Sequence, residues 1–270
     1  MVPLLRVFHV RDARLPVIGA LVALAWLTLA IWGQSPYGRY LDHGQWLQSG
    51  FVGGFVGTIC RAVPAGTALF AGLVYVAAWL LMTVAMMLPT TMPLLAIFAR
   101  MTADRDDRGL LLTLVVAGYL SIWTAFGLIA HLADMSLHAA VATNVFLSVN
   151  SWIVGVIVLA LAGAFQFSKL KYRCLDKCRT PFSFINEHWR GQAVRRQSFL
   201  LGLHHGLFCV GCCWAIMLLM FLVGTGSVGW MLMIGAVMAL EKNARWGRRL
   251  SASLGVVLLL ASTSIVALNL

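Results

Sequence analysis

The chain has 270 residues, 61% of them hydrophobic and only 11% charged, with a net charge of +11 and a mean hydropathy of +0.88. That composition lies far from an ordinary soluble domain, and it excludes a nucleotide-binding α/β enzyme, a disulfide-rich secreted scaffold and a nucleic-acid-binding domain. A spanning helix needs roughly 20 apolar residues to cross about 30 Å of hydrocarbon, so the length allows six or seven spans and no sizeable soluble domain.

Taken in chain order, the apolar runs predict spans near 16–33, 66–97, 110–132, 145–168, 198–223, 227–241 and 250–269. The expected fold is all-α, a polytopic transmembrane helix bundle of about seven spans, six being the alternative, in one membrane domain over 1–270. The second run contains Pro89 and Pro93 and is predicted to kink or end near Pro89. Between the first two runs, 34–65 (with QWLQSGFVGGFVG) reads as an interfacial segment or an external loop. The sixth run is short; it either extends through Glu241 and Lys242 toward Trp246 or forms a hairpin with the fifth around Gly224, Gly226 and Gly229. The stretch 169–196 reads as a long basic loop.

Basic residues orient these spans. Clusters at Arg6, Arg11 and Arg14, at Arg100, Arg105 and Arg108, between Lys169 and Arg196, and at Lys242, Arg245, Arg248 and Arg249 place 18 of the 20 Lys and Arg on one side. Arg39 and Arg61 are left opposite. The positive-inside rule then predicts a cytoplasmic N-terminus and an external C-terminus. The first run lacks a small-residue cleavage site after it and reads as a retained anchor. Topology accounts for the +11 charge, and no nucleic-acid partner is expected.

The spans carry almost no fixed charge, which speaks against a proton pump, an ion exchanger or a voltage sensor. They carry soft or borderline donors instead: His204, His205, Cys209, Cys212, Cys213, Met217 and Met220 on the fifth run, and Met82, Met86 and Met87 on the second. His205, Cys209, Cys213 and Met217 follow one another at i,i+4 and form a stripe on one helix face. Eight residues of helix rise about 12 Å, so one turn at most can serve a single ion and other spans must complete the shell. Inferred depth brings His205, Cys209, Met86 or Met87 and Glu241 to the inner leaflet, with Met238 nearby. Thiolate and thioether donors favour Cu(I), the first expectation, with zinc second. Each of these residues also has a plain packing role available.

Cys174 and Cys178 form a C-x3-C pair in the basic stretch, able to capture a metal, to exchange thiols, or simply to occupy a loop. His131 and His138 flank Asp134 in what reads as a polar outer loop. A bis-histidine haem is disfavoured, because His131 and His204 fall at opposite ends of their spans. No nucleophile–base–acid constellation and no phosphate-cradling glycine loop stands out, so no catalytic residue is assigned and a non-enzymatic role is expected.

WLLMTVAMMLPTTMP, KLKYRCLDKCRTPFSF and GLHHGLFCVGCCWAIMLLMFLVGTGSVGWMLMIGAVMALEK, over roughly residues 75–250, resemble the bacterial family of predicted metal-binding integral membrane proteins, a domain of unknown function. The combination of AMMLP, C-x3-C-R-x-P, GCCW and ALEK carries the likeness. It implies metal-site roles for Met86, Met87, Cys174, Cys178, His205, Cys209, Cys212, Cys213, Glu241 and Lys242. The leading expectation is therefore a membrane protein that binds a soft metal, Cu(I) before zinc, for handling, delivery or metalloprotein assembly. Its expected partners are the lipid bilayer and a membrane complex or metallochaperone. The alternatives are a structural or partner-binding subunit of a membrane complex without a metal, and a thiol-redox enzyme using Cys174 and Cys178.

Overall fold

The computed structural model describes residues 14–33, 68–146, 150, 152–223 and 228–269. The expected interfacial segment 34–65, Arg6, Arg11, Cys60, Arg61 and the glycines Gly224 and Gly226 lie outside the described residues. Among those residues the chain forms ten helices and no strand: α1 (Arg14–Gly33), α2 (Ala68–Met86), α3 (Leu88–Met101), α4 (Arg108–Thr143), α5 (Trp152–Phe165), α6 (Lys169–Arg179), α7 (Pro181–His188), α8 (Val194–Val223), α9 (Val228–Asn243) and α10 (Gly247–Asn269).

The all-α expectation holds, but the span count differs from seven. Among the described residues α4, α8 and α10 are each long and apolar enough to cross a membrane, and two bent pairs, α2 with α3 and α5 with α6, raise the number to at most five. The apolar part of α1, Pro16–Ile31, is short for a span. Helix α9 has 16 residues, about 24 Å of rise against about 30 Å of hydrocarbon. Helix α4 departs the other way: its 36 residues extend about 54 Å and absorb the segment around His131, Asp134 and His138 that reads as loop in the sequence.

The bends have local causes. Helix α2 stops at Met86 and α3 restarts at Leu88 with a 64° change of direction. Pro89, in the first turn of α3, lacks the amide needed to continue the α2 ladder. Helices α5 and α6 meet at 63°, where Ser168 caps α6 by accepting a 3.1 Å hydrogen bond from the Lys171 amide. The stretch expected as a basic loop is thus largely helical. Helix α6 is amphipathic, burying Lys171, Cys174 and Leu175 while Arg173 points outward. Its exposed face pairs Lys177 with Glu187 at 2.6 Å and Asp176 with Arg248 at 3.2 Å. The hydrogen bond from Lys177 holds the Glu187 carboxyl below the ordinary carboxylate range. Such exposed pairs contribute little to stability.

Helix α8 is the axis of the bundle: 67% of its most apolar stretch is buried, against 33% for α4 and 22% for α10. Its main neighbour is α4. A Cβ on Gly202 would lie 2.0 Å from the Val115 carbonyl oxygen, and one on facing Gly118 2.2 Å from that of Phe199. Only glycine lets the two backbones approach this closely, and the approach sets Tyr119, next to Gly118, against α8.

Candidate thiol site

Cys209, Cys212 and Cys213 occupy one turn of α8 and are all sealed from solvent. Cys212 Sγ lies 3.3 Å from Cys213 Sγ and donates to the Cys209 carbonyl oxygen at 3.1 Å. A fourth sulfur comes from α6, where the half-buried Cys178 packs against the buried cluster that holds these three cysteines. Cys174, one turn earlier, is buried against α8: its Sγ would lie 2.7 Å from a Cβ on Gly211, so the glycine of CVGCC is what admits α6.

Two polar groups from other elements contact Cys209, and a third backs them. Lys242 Nζ, at the end of α9, is 2.9 Å from Cys209 Sγ and donates to Thr90 Oγ1 at 3.2 Å. The Tyr119 hydroxyl lies 3.1 Å from Cys209 Sγ and 3.5 Å from the Met87 carbonyl oxygen. Thr90 Oγ1 in turn donates to that carbonyl at 2.7 Å. The contacts shown by the AMMLPTT segment therefore come from a backbone carbonyl and a hydroxyl at the helix break. A buried ammonium needs a compensating negative charge, and a thiolate needs a cation. Lys242 and Cys209 are placed to supply both.

Glu241, adjacent to Lys242, points elsewhere. Its carboxylate accepts from Lys171 Nζ at 2.8 and 2.9 Å and from Ser251 Oγ at 2.7 Å. Lys171 also donates to Gln166 Oε1, and the Lys171 and Glu241 side chains are 0% and 1% exposed. Arg179 donates to the Glu241 and Ala244 carbonyls at the end of α9. The ALEK dipeptide Glu241–Lys242 thus ties α9 to α6 and α10 through one residue and to α3 and α8 through the other.

The remaining residues singled out from the sequence distribute as follows. His205 is buried, with its ring 5.8 Å from Tyr119 and 5.5 Å from Phe184. Its Nδ1 has no hydrogen-bond partner among the described residues, and it lines a small cavity with Leu88, Thr91, Val115 and Tyr119. His204 is exposed, its ring 4.9 Å from His188, since consecutive residues point about 100° apart on a helix. Met86 packs on Gly235, and Met87 is wholly buried. Met82, Met217, Met220 and Met238 are buried in the same cluster as the cysteines. On the C-terminal part of α4, His138 lies 3.4 Å from Asp134 and the His131 ring stacks on Tyr75 at 3.9 Å.

The structure thus brings together Cys178, Cys209, Cys212 and Cys213, with His205 on the next turn. It leaves His204 apart and commits Glu241 to Lys171. Sequence reasoning missed Tyr119, Thr90 and Lys171. The available signal for Tyr119 was Gly118 beside it, facing GLHHG; nothing in the basic stretch marked Lys171 as buried. Among the described residues, no three His, Cys, Asp or Glu side chains form a ready-made metal cage.

The site is a sealed turn of thiols with a lysine ammonium against one of them, inside an apolar helical bundle. Residues 76–265 match the family PpoB2, described as a copper chaperone, and the chain belongs to that family. The match agrees with the metal-related side of the resemblance read from the motifs, and the family's description does not mention a membrane. No curated protein and no solved structure matches the chain.

Proposed function

We propose that this chain is a membrane-embedded copper chaperone that carries Cu(I) on the thiolates of α8. The observation that carries the reading is the convergence of Cys209, Cys212 and Cys213 within one buried turn beside Lys242, in a chain of a copper-chaperone family. Soft thiolate sulfur prefers Cu(I) over harder divalent ions, and zinc is the second choice. A thiolate in a low-dielectric interior requires a cation, supplied by Lys242 in the free protein and by copper in the loaded one. His205, one turn from Cys209, is available as a nitrogen donor. Membrane placement is supported by the three to five apolar helices and by the one-sided distribution of Lys and Arg. We place the bundle in a bacterial inner membrane with its N-terminus cytoplasmic, and infer delivery to a partner metalloprotein.

A second reading, a membrane subunit whose cysteines only pack, draws on the lack of a ready-made cage among the described residues. Copper quantification on purified protein separates the two. The wild type should hold Cu(I) under anaerobic reducing conditions, and the Cys209/Cys212/Cys213 triple serine variant should lose it; equal copper in both overturns the proposal.

A further inference from the structure

The thiols of α8 are sealed, so an ion from outside reaches them only by passing inward from the surface. Three imidazoles mark such a way. His204 on α8 is exposed, His188 at the end of α7 is half-buried, and their ring centroids are 4.9 Å apart with the planes tilted by 51°. Two imidazoles that hold one ion through metal–nitrogen bonds of about 2.0–2.1 Å stand about 4.5–5.2 Å apart, centroid to centroid, when the angle at the metal lies between a right angle and a tetrahedral one. His188 Nδ1 lies 2.9 Å from the Phe184 carbonyl oxygen. That contact sets the ring and leaves Nε2 to bind, the usual arrangement behind a ligating histidine. Glu187, beside His188, is exposed and pairs with the Lys177 ammonium at 2.6 Å, a charged pair that keeps this end of α7 at a polar surface.

Behind the pair stands Phe184, fully buried, its ring 4.3 Å from that of His188 and 5.5 Å from that of His205. His205 is buried, and its Nδ1 has no hydrogen-bond partner among the described residues, an arrangement that costs free energy until a partner arrives. Its ring is 5.8 Å from that of Tyr119, whose hydroxyl is 3.1 Å from Cys209 Sγ.

We propose that His188 and His204 form a two-imidazole surface site that receives Cu(I) on its way to the thiols, with His205 as the next donor inward. This rests on the copper-handling reading and adds a separate entry site to it. Two ligands leave the ion with open positions, for the carrier that brings it and for the donor that takes it on. Each move is ligand exchange: one copper–nitrogen bond breaks as the next copper–donor bond forms, and the metal stays Cu(I). Thiolate is the softer ligand and suits Cu(I) better than imidazole, so the exchange runs inward.

The test uses the full chain in detergent, reduced and anaerobic. Histidines are modified with diethyl pyrocarbonate and mapped by peptide mass spectrometry, without copper and with Cu(I) in excess of what the thiols hold. Cu(I) should protect His188 and His204 and leave the labelling of exposed His138 unchanged. In a second measurement Cu(I) is supplied as a weak coloured chelate and its uptake is followed in time. The His188→Gln/His204→Gln variant should load more slowly by about tenfold or more, the loss that even an outer-shell partner of a metal ligand brings, and reach the same thiol-bound copper; His138→Gln should load at the wild-type rate. Equal labelling of His204 with and without Cu(I), or wild-type loading in the double variant, overturns the proposal, and the wild-type footprint decides even if the variant fails to fold. Normal thiol loading with an unprotected His204 sinks the entry site alone. Protection of His204 in a protein whose copper content survives the Cys209/Cys212/Cys213 triple serine change sinks the thiol reading instead.

Discussion

Lys242 is the residue on which the site turns. Its neighbour in sequence, Glu241, is already bound to Lys171, so the ammonium turns to the Cys209 sulfur and the Thr90 hydroxyl. Burying a charge costs several kcal/mol unless it is paired and hydrogen-bonded, which makes the Lys242–Cys209 contact costly to break on either side. Cys209→Ala should therefore lower Cu(I) stoichiometry, as measured by elemental analysis of the purified protein. Met220→Leu, a near-isosteric change in the same buried cluster, should leave copper unchanged at a cost below about 1.5 kcal/mol; loss of copper in this variant would bring the methionines into the site. At this scale the cysteine stripe was legible in the sequence because i,i+4 spacing fixes one helix face. Lys242's contact with Cys209 and Tyr119's with the same sulfur were not, because their partner atoms come from helices distant in the chain, and no single-helix period encodes that meeting.

Among the elements, α6 shows how much a basic run can hide. Its charges read as loop, yet three of its residues are buried, and Lys171 forms the ion pair that fastens α6 to α9. Removing one partner of a buried pair strands the other charge. Lys171→Met should cost about 3–5 kcal/mol, and adding Glu241→Leu should recover most of that loss. Unfolding titrations in mixed detergent measure both, and a double variant no more stable than the single one would contradict the pairing. Gly211→Val tests the same interface from the other side. Its Cβ would press on Cys174 Sγ at 2.7 Å, so it should destabilise the protein by about 1–3 kcal/mol, readable in the same unfolding titrations. The break between α2 and α3 was legible, since Pro89 enforces it whatever the tertiary context. That the break presents a carbonyl and Thr90 to the thiols was not, because it depends on how α4 and α9 pack around it.

For the whole molecule, composition identified an apolar helical bundle, and the all-α fold follows from it. The number of crossings did not follow, because hydropathy windows register apolar runs such as α1 and α9 without registering whether each is long enough to span, and they do not see the bends at Met87 and Phe167. Reporter enzymes active on one side only, fused to the C-terminus, should report an external end; cytoplasmic activity would require an even number of crossings. The position of α8 at the axis, with its cysteines facing α4, α6 and α9, is what sets the proposed soft-ion site inside the apolar bundle. X-ray absorption at the copper edge of the Cu(I)-loaded full chain tests this most directly. The predicted spectrum is that of Cu(I) in a sulfur-dominated shell that disappears in the Cys209/Cys212/Cys213 triple serine variant; a shell of nitrogen and oxygen alone, or one unchanged in that variant, would contradict it.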